Sequence, residues 1–196
     1  MTQNMKRIFL LPLAAMLVLS ACGGSEDSTD ETTDNVEDNS LEYSEMNEMS
    51  LKPYGLNMKF MVPDVASSTG AALEPQVLHD DGDYLWHVKI GKHFHMVIED
   101  YGKEKDKVKN ERARLADLDK IFITEYFTDE PNLIMYKRTL HNDQGGKPSY
   151  HVYGETLIGG YTYILRSEDE GSLKPIIEDM VLTIKSAKEI GAADPA

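Results

Sequence analysis

His87, His93 and His95 are the side chains best suited to chemistry in this sequence, since imidazole both ligates metals and titrates near neutral pH. His93 and His95 are two residues apart. On a β-strand that spacing turns both rings to one face, about 6–7 Å apart along the strand, which suits a single metal ion. Reading Gly91-Lys92 as a two-residue turn sets Ile90 opposite His93, Val88 opposite His95 and His87 opposite Met96. Successive strand positions face opposite sides, so this register leaves His87 out of the pair. Glu99 shares the face but lies about 13 Å from His95 along the strand. A third ligand has to come from elsewhere in the fold; without one, the two histidines are ordinary half-exposed, hydrogen-bonded residues.

A second group is aromatic. Of the tyrosines late in the chain, Tyr136, Tyr153, Tyr161 and Tyr163 form a candidate binding surface, because an amphipathic ring can line a pocket or meet a partner. Aromatics at alternate strand positions also arise from plain sheet packing. Lys103, Lys105, Lys107, Lys109, Arg112 and Arg114, set against Glu104, Asp106 and Glu111, leave a modest positive excess. It fits an acidic partner, an anionic membrane or a solvated helix face. The sequence has no Gly-x-Ser-x-Gly elbow, phosphate loop or His-Glu-x-x-His. Gly145-Gly146 and Gly159-Gly160 fall between strands, where turns need them. The expectation is a non-catalytic protein without a cofactor; the alternative is an envelope hydrolase or metal-dependent enzyme with an unmarked site.

The elements that position these groups follow from periodicity. Leu56, Met58, Phe60 and Val62 alternate with other residues up to Pro63-Asp64, predicting a strand. A short strand is expected over 76–79, then a hairpin of 84–90 and 93–99. Val108, Arg112, Leu115 and Leu118 predict a helix from Lys103 to about Ile121. Strands over 132–141, 149–157 and 161–167 follow, the last two joined around Gly159-Gly160. A closing helix starts near Ser172, its N-cap, with an apolar stripe of Leu173, Ile176, Ile177, Met180, Val181 and Ile184. Only the central connection calls for a helical crossover, so the sheet should be mainly antiparallel. The hairpin register above mixes apolar residues on both faces: Trp86, Val88 and Val97 on one, Leu85, Phe94, Met96 and Ile98 on the other. That mixture asks for cover on both sides. The predicted class is α+β: a central, mainly antiparallel sheet of six or seven strands with helices on both faces.

The chain has 196 residues, enough for one domain with extras, and 34 acidic against 20 basic residues give a net charge of −14. That balance argues against nucleic acid. A single cysteine excludes disulfides within the chain and any Cys-rich metal site. It sits at the end of a secretory-type signal: Lys6 and Arg7, an apolar run from Ile8 to Leu19, then small residues. Leu19-Ser20-Ala21-Cys22 resembles the lipobox of bacterial lipoproteins. The resemblance implies cleavage of residues 1–21, diacylglycerol on the Cys22 thiol and an acylated amine. The chain would then be held in a bilayer of the cell envelope, the outer membrane, on its periplasmic face or at the cell surface.

Residues 23–50 carry ten carboxylates and no Lys or Arg, so 22–50 reads as a lipidated cysteine with a disordered acidic tether. Ser25-Glu26-Asp27 resembles the export signal of surface lipoproteins in Bacteroidetes-type bacteria, and serves equally as a solvated spacer. Losing Lys6 and Arg7 takes the mature chain from −14 to −16, of which the tether holds −10 and the remainder −6. The acidity therefore belongs mostly to the spacer.

Residues 51–190 read as one domain and 191–196 as a tail. Its element order, the opening Tyr54-Gly55-Leu56-Asn57-Met58-Lys59-Phe60-Met61-Val62-Pro63, the segment Gly160-Tyr161-Thr162-Tyr163 and the closing helix with Ile184-Lys185-Ser186 resemble the PsbP-like superfamily. That resemblance implies an antiparallel sheet between helices and a binding or assembly role, with a protein partner or small ligand.

Overall fold

The computed structural model describes residues 43–64, 74–80, 82–141 and 146–191. The signal segment, Cys22, the tether up to residue 42 and residues 192–196 lie outside them.

Buried Met58, Phe60 and Val62 alternate with less buried neighbours to make β2 (Met58–Pro63). It pairs antiparallel with β1 (Met46–Ser50) on one side and β10 (Lys188–Glu189) on the other. These three strands are a small sheet of their own. The opening strand therefore does not join the central sheet. Residues 46–50, expected as tether, are ordered because their backbone pairs with β2 across five positions.

The central sheet has seven strands: β3 (Gln76–Leu78), β4 (Leu85–Ile90), β5 (Phe94–Asp100), β6 (Phe122–Glu130), β7 (Leu133–Leu140), β8 (Ser149–Ile158) and β9 (Tyr161–Ser167). Their order is β3-β4-β5-β9-β8-β7-β6 and every pairing is antiparallel. The two-residue turn at Gly159-Gly160 is present; both glycines have positive φ, +58° and +82°, as a primed hairpin turn requires.

The β4–β5 register differs from the sequence reading by one residue. The turn holds Gly91, Lys92 and His93, so Ile90 pairs with Phe94, Val88 with Met96 and Trp86 with Ile98. One face of the hairpin is then wholly apolar, while the other carries Leu85, His87, Lys89, His95, Val97 and Glu99. The apolar residues then gather mainly on one face, with Leu85 and the buried Val97 left on the other.

Helix α1 spans Lys107–Asp117 and α2 spans Lys174–Ser186. The first is shorter than the stretch 103–121 expected of it. Its N-cap residue, Asp106, sits at φ +62° and offers no side-chain cap. Instead Glu155 Oε2 of β8 accepts the backbone N–H groups of Lys107 at 2.7 Å and Val108 at 3.3 Å. The second helix starts two residues after Ser172, with Pro175 in its first turn; Leu173 is its N-cap residue, and the Ser172 hydroxyl donates to the His93 carbonyl instead.

The apolar faces of β4 and β5, the inner residues of β2, and Ile177, Met180, Val181 and Ile184 of α2 form one core with Leu133, Met135, Val152 and Leu165. Truncating any one of the fully buried members costs about 2–5 kcal/mol. Gly154 lets α2 approach β8: a Cβ there would stand 2.6 Å from Ile184 Cγ2. The intervening residues of β7, Ile134 and Tyr136, belong to a second, smaller cluster with Val108 and Leu115 of α1. Trp86 Nε1 donates to the Tyr54 carbonyl at 2.8 Å and so ties the two sheets together.

Candidate functional site

The central sheet carries polar side chains from β5, β7, β8 and β9 that converge close to the eleven residues of α1. Beside that helix it opens into a cavity of about 450 Å³, within the size range of small-molecule sites. Tyr136 and Arg138 of β7, His151 and Tyr153 of β8, Arg166 of β9, Glu99 of β5, and Glu111 and Arg114 of α1 line it, with Tyr101, Glu168 and Asp169 at its edges. Strand register explains the convergence: Tyr136 pairs with His151, and Tyr153 and Val97 both pair with Arg166, so these side chains share one face.

The lining is organised as ion pairs. Arg114 holds Glu111 through Nε and Nη2 at 2.7 and 2.6 Å, and the Tyr136 hydroxyl donates to the same carboxylate at 3.2 Å. Arg166 Nε meets Glu99 at 2.6 Å and its Nη1 meets Asp169 at 3.0 Å. The Tyr101 hydroxyl donates to Glu99 at 2.8 Å. Burial, reinforced by this hydrogen bond, pushes the Tyr101 phenol up to about 12. Burial also raises Tyr136 and Tyr153, so all three phenols stay neutral. Among the described residues, the Tyr153 hydroxyl has no hydrogen-bond partner.

Arg138 is different. Its Nε and Nη2 point at His151 Nε2, at 3.2 and 3.1 Å, and Nη2 also donates to the Asp169 carbonyl at 3.0 Å. His151 is 2% exposed, stacks on Tyr136 and accepts from the Ser149 hydroxyl at 2.8 Å. Burial first, and the Arg138 charge second, drive its pKa down to about 3. The ring is therefore neutral, Nε2 is its acceptor, and a hydrogen bond with the Glu168 backbone holds its other side. Gly171 passes so close that a Cβ would lie 2.7 Å from His151 Cε1.

The predicted histidines are rearranged by the three-residue turn. His93 is in that turn and apart from His95. His87, set aside on the two-residue register, comes to the face of His95: His87 Nδ1 stands 3.0 Å from His95 Nε2, and His95 Nδ1 2.6 Å from Glu168 Oε1. Burial lowers the His95 pKa against the opposing pull of Glu168. Both ring nitrogens of His95 are thus engaged, and among the described residues no group of three or more His, Cys, Asp or Glu is placed to hold a metal ion.

The four tyrosines divide. Tyr136 and Tyr153 line the cavity, whereas Tyr163 packs against the core that includes α2 and Tyr161 is at the β8–β9 turn. In the basic helix, Lys107 pairs with Glu104, Arg112 with Asp129, and Arg114 with Glu111. Cys22 lies outside the described residues. Sequence reasoning did not single out Arg138, His151 or Arg166, and it weighed Glu99 only against the His93/His95 pair and Glu111 only in the charge balance of the basic helix; the five come from five separate elements. The one available signal was the i, i+2 spacing of polar and aromatic residues in Tyr136/Arg138 and His151/Tyr153. The chain matches no protein-family model, and no curated protein matches its sequence.

Proposed function

We propose that the chain is a non-catalytic lipoprotein of the bacterial envelope, anchored through acyl chains on Cys22, whose domain binds a small polar ligand in the cavity beside α1. The arrangement of that cavity carries the reading: convergent guanidinium, carboxylate and phenol groups around about 450 Å³. The lipobox-like Leu19-Ser20-Ala21-Cys22 supports the anchor. The architecture proposed is PsbP-like, with α1 and α2 on opposite faces of the central sheet. The alternation in β7, where Leu133 and Met135 join the α2 core and Ile134 and Tyr136 join α1, supports it.

One observation favours a hydrolase: the Ser149 hydroxyl is 2.8 Å from His151 Nε2, the distance of a nucleophile and its base. The chemistry weighs against it. A pKa near 3 makes His151 a poor proton acceptor at neutral pH. Arg138 already occupies the same lone pair. Ser149 is also not among the lining residues of the cavity.

The binding reading is tested on full-length protein in detergent micelles, melted against a panel of acidic, neutral and basic small polar compounds. A ligand at a hundred times its Kd stabilises the fold by about 2.7 kcal/mol. At least one class should raise the melting temperature, and Tyr153→Trp, whose larger ring fills the cavity, should remove the effect. A panel without any stabiliser, or a stabiliser indifferent to Tyr153→Trp, refutes the reading.

A further inference from the structure

Resting on that cavity as the binding site, we infer that its ligand is a small, singly charged carboxylate seated on the free Nη1 of Arg138. The cavity has three arginines and four carboxylates. Glu111 is taken by Arg114, Glu99 and Asp169 by Arg166, and Glu168 by His95. Among the described residues, no carboxylate holds Arg138. Its neighbour His151 is neutral, so among the described residues no group of opposite charge pairs with the guanidinium.

Arg138 is also fixed in place. Nε and Nη2 are held by His151 and the Asp169 carbonyl, and Cζ stands 5.1 Å over the Phe122 ring. Nη1 has no partner among the described residues. A donor group already immobilised loses little entropy when its free Nη1 takes a carboxylate, and the bonds formed are charge-assisted. The charge of the ligand is bounded from above. Four carboxylates around the same cavity repel a second negative charge, which favours a carboxylate over a phosphate dianion. The free Tyr153 hydroxyl adds a second polar contact within the cavity, suited to a hydroxylated ligand.

Matched probes isolate the carboxylate: glucuronate against glucose, gluconate against sorbitol, and glucose 6-phosphate as the dianion. Each is titrated into the full-length protein in micelles and followed by calorimetry. The acids should bind at least tenfold tighter than their neutral partners and than the phosphate. Arg138→Gln should weaken acid binding tenfold or more, with Arg138→Lys in between because it keeps charge and loses the donor held in place by the guanidinium. Tyr153→Phe, which removes no hydrogen bond from the described fold, should weaken the acids severalfold and so tests the site even where Arg138→Gln fails to fold. Acids that bind no better than the neutral probes, or bind Arg138→Gln and Tyr153→Phe as well as wild type, overturn the inference. If neutral or basic compounds still bind and respond to Tyr153→Trp, the binding reading survives and only the ligand class is wrong.

Discussion

His151 is an imidazole kept neutral by its surroundings. Unfolded, it takes the ordinary value of 6.5; folded, about 3. Between those values the unfolded chain binds a proton that the native chain refuses, so protonation favours unfolding. The stabilisation is fully present above pH 6.5 and is lost as the pH falls towards 3, by up to about 1.4 kcal/mol per pH unit. His95, lowered by burial, adds a smaller contribution of the same sign. Urea unfolding of wild type and His151→Gln should give stabilities separated by a constant amount above pH 6.5 that approach each other as the pH falls from 6.5 towards 3. The His151 ring protons should hold a constant NMR shift from pH 8 to pH 4; a midpoint near 6.5 would sink the assignment. A histidine fixed this way is not visible in sequence, because its state depends on Arg138 thirteen residues away across a strand pair.

At the scale of elements, α1 is positioned by one carboxylate outside it. Asp106 is in the left-handed region and leaves the first N–H groups of the helix open, and Glu155 closes two of them from β8. Its charge also complements the positive end of the helix. Glu155→Ala should cost about 1 kcal/mol, the usual loss of a cap, and Glu155→Gln less. Hydrogen exchange should locate the loss in the first turn of α1; protection there equal to wild type would contradict it. The same elements show what periodicity reveals. Strands β7 to β9 and both helices were legible because their apolar residues repeat at a regular spacing.

Strand β6 was not legible. It is the edge of the central sheet, its Ile123, Tyr126 and Phe127 are exposed, and a register shift between Tyr126 and Thr128 breaks the alternation. β1 was hidden by its acidic composition. In the β4–β5 hairpin the strands were read correctly and the turn by one residue too few. That slip moved every β5 side chain to the wrong face relative to β4 and concealed the His87–His95 contact. The cavity was illegible for a related reason: its arginines and carboxylates meet through sheet order, which no local pattern encodes.

The whole molecule joins two regimes of charge. The ten carboxylates between residues 23 and 50 are followed by a segment whose net charge is only −6. Ten like charges repel an anionic bilayer, so the charge of residues 23–50 does not favour the membrane. Among the described residues no helix is long and apolar enough to cross a membrane. The proposed anchoring then depends on Cys22 alone. Acyl chains contribute about 0.8 kcal/mol per buried CH₂, and two or more hold a protein stably where one is marginal. Cys22→Ala should therefore move the protein from the membrane pellet to the soluble fraction. The partition should be nearly all-or-none, because the net charge of −16 expected after cleavage opposes an anionic bilayer. A variant that stays in the pellet after a high-salt wash would show that something other than acyl chains on Cys22 holds it there.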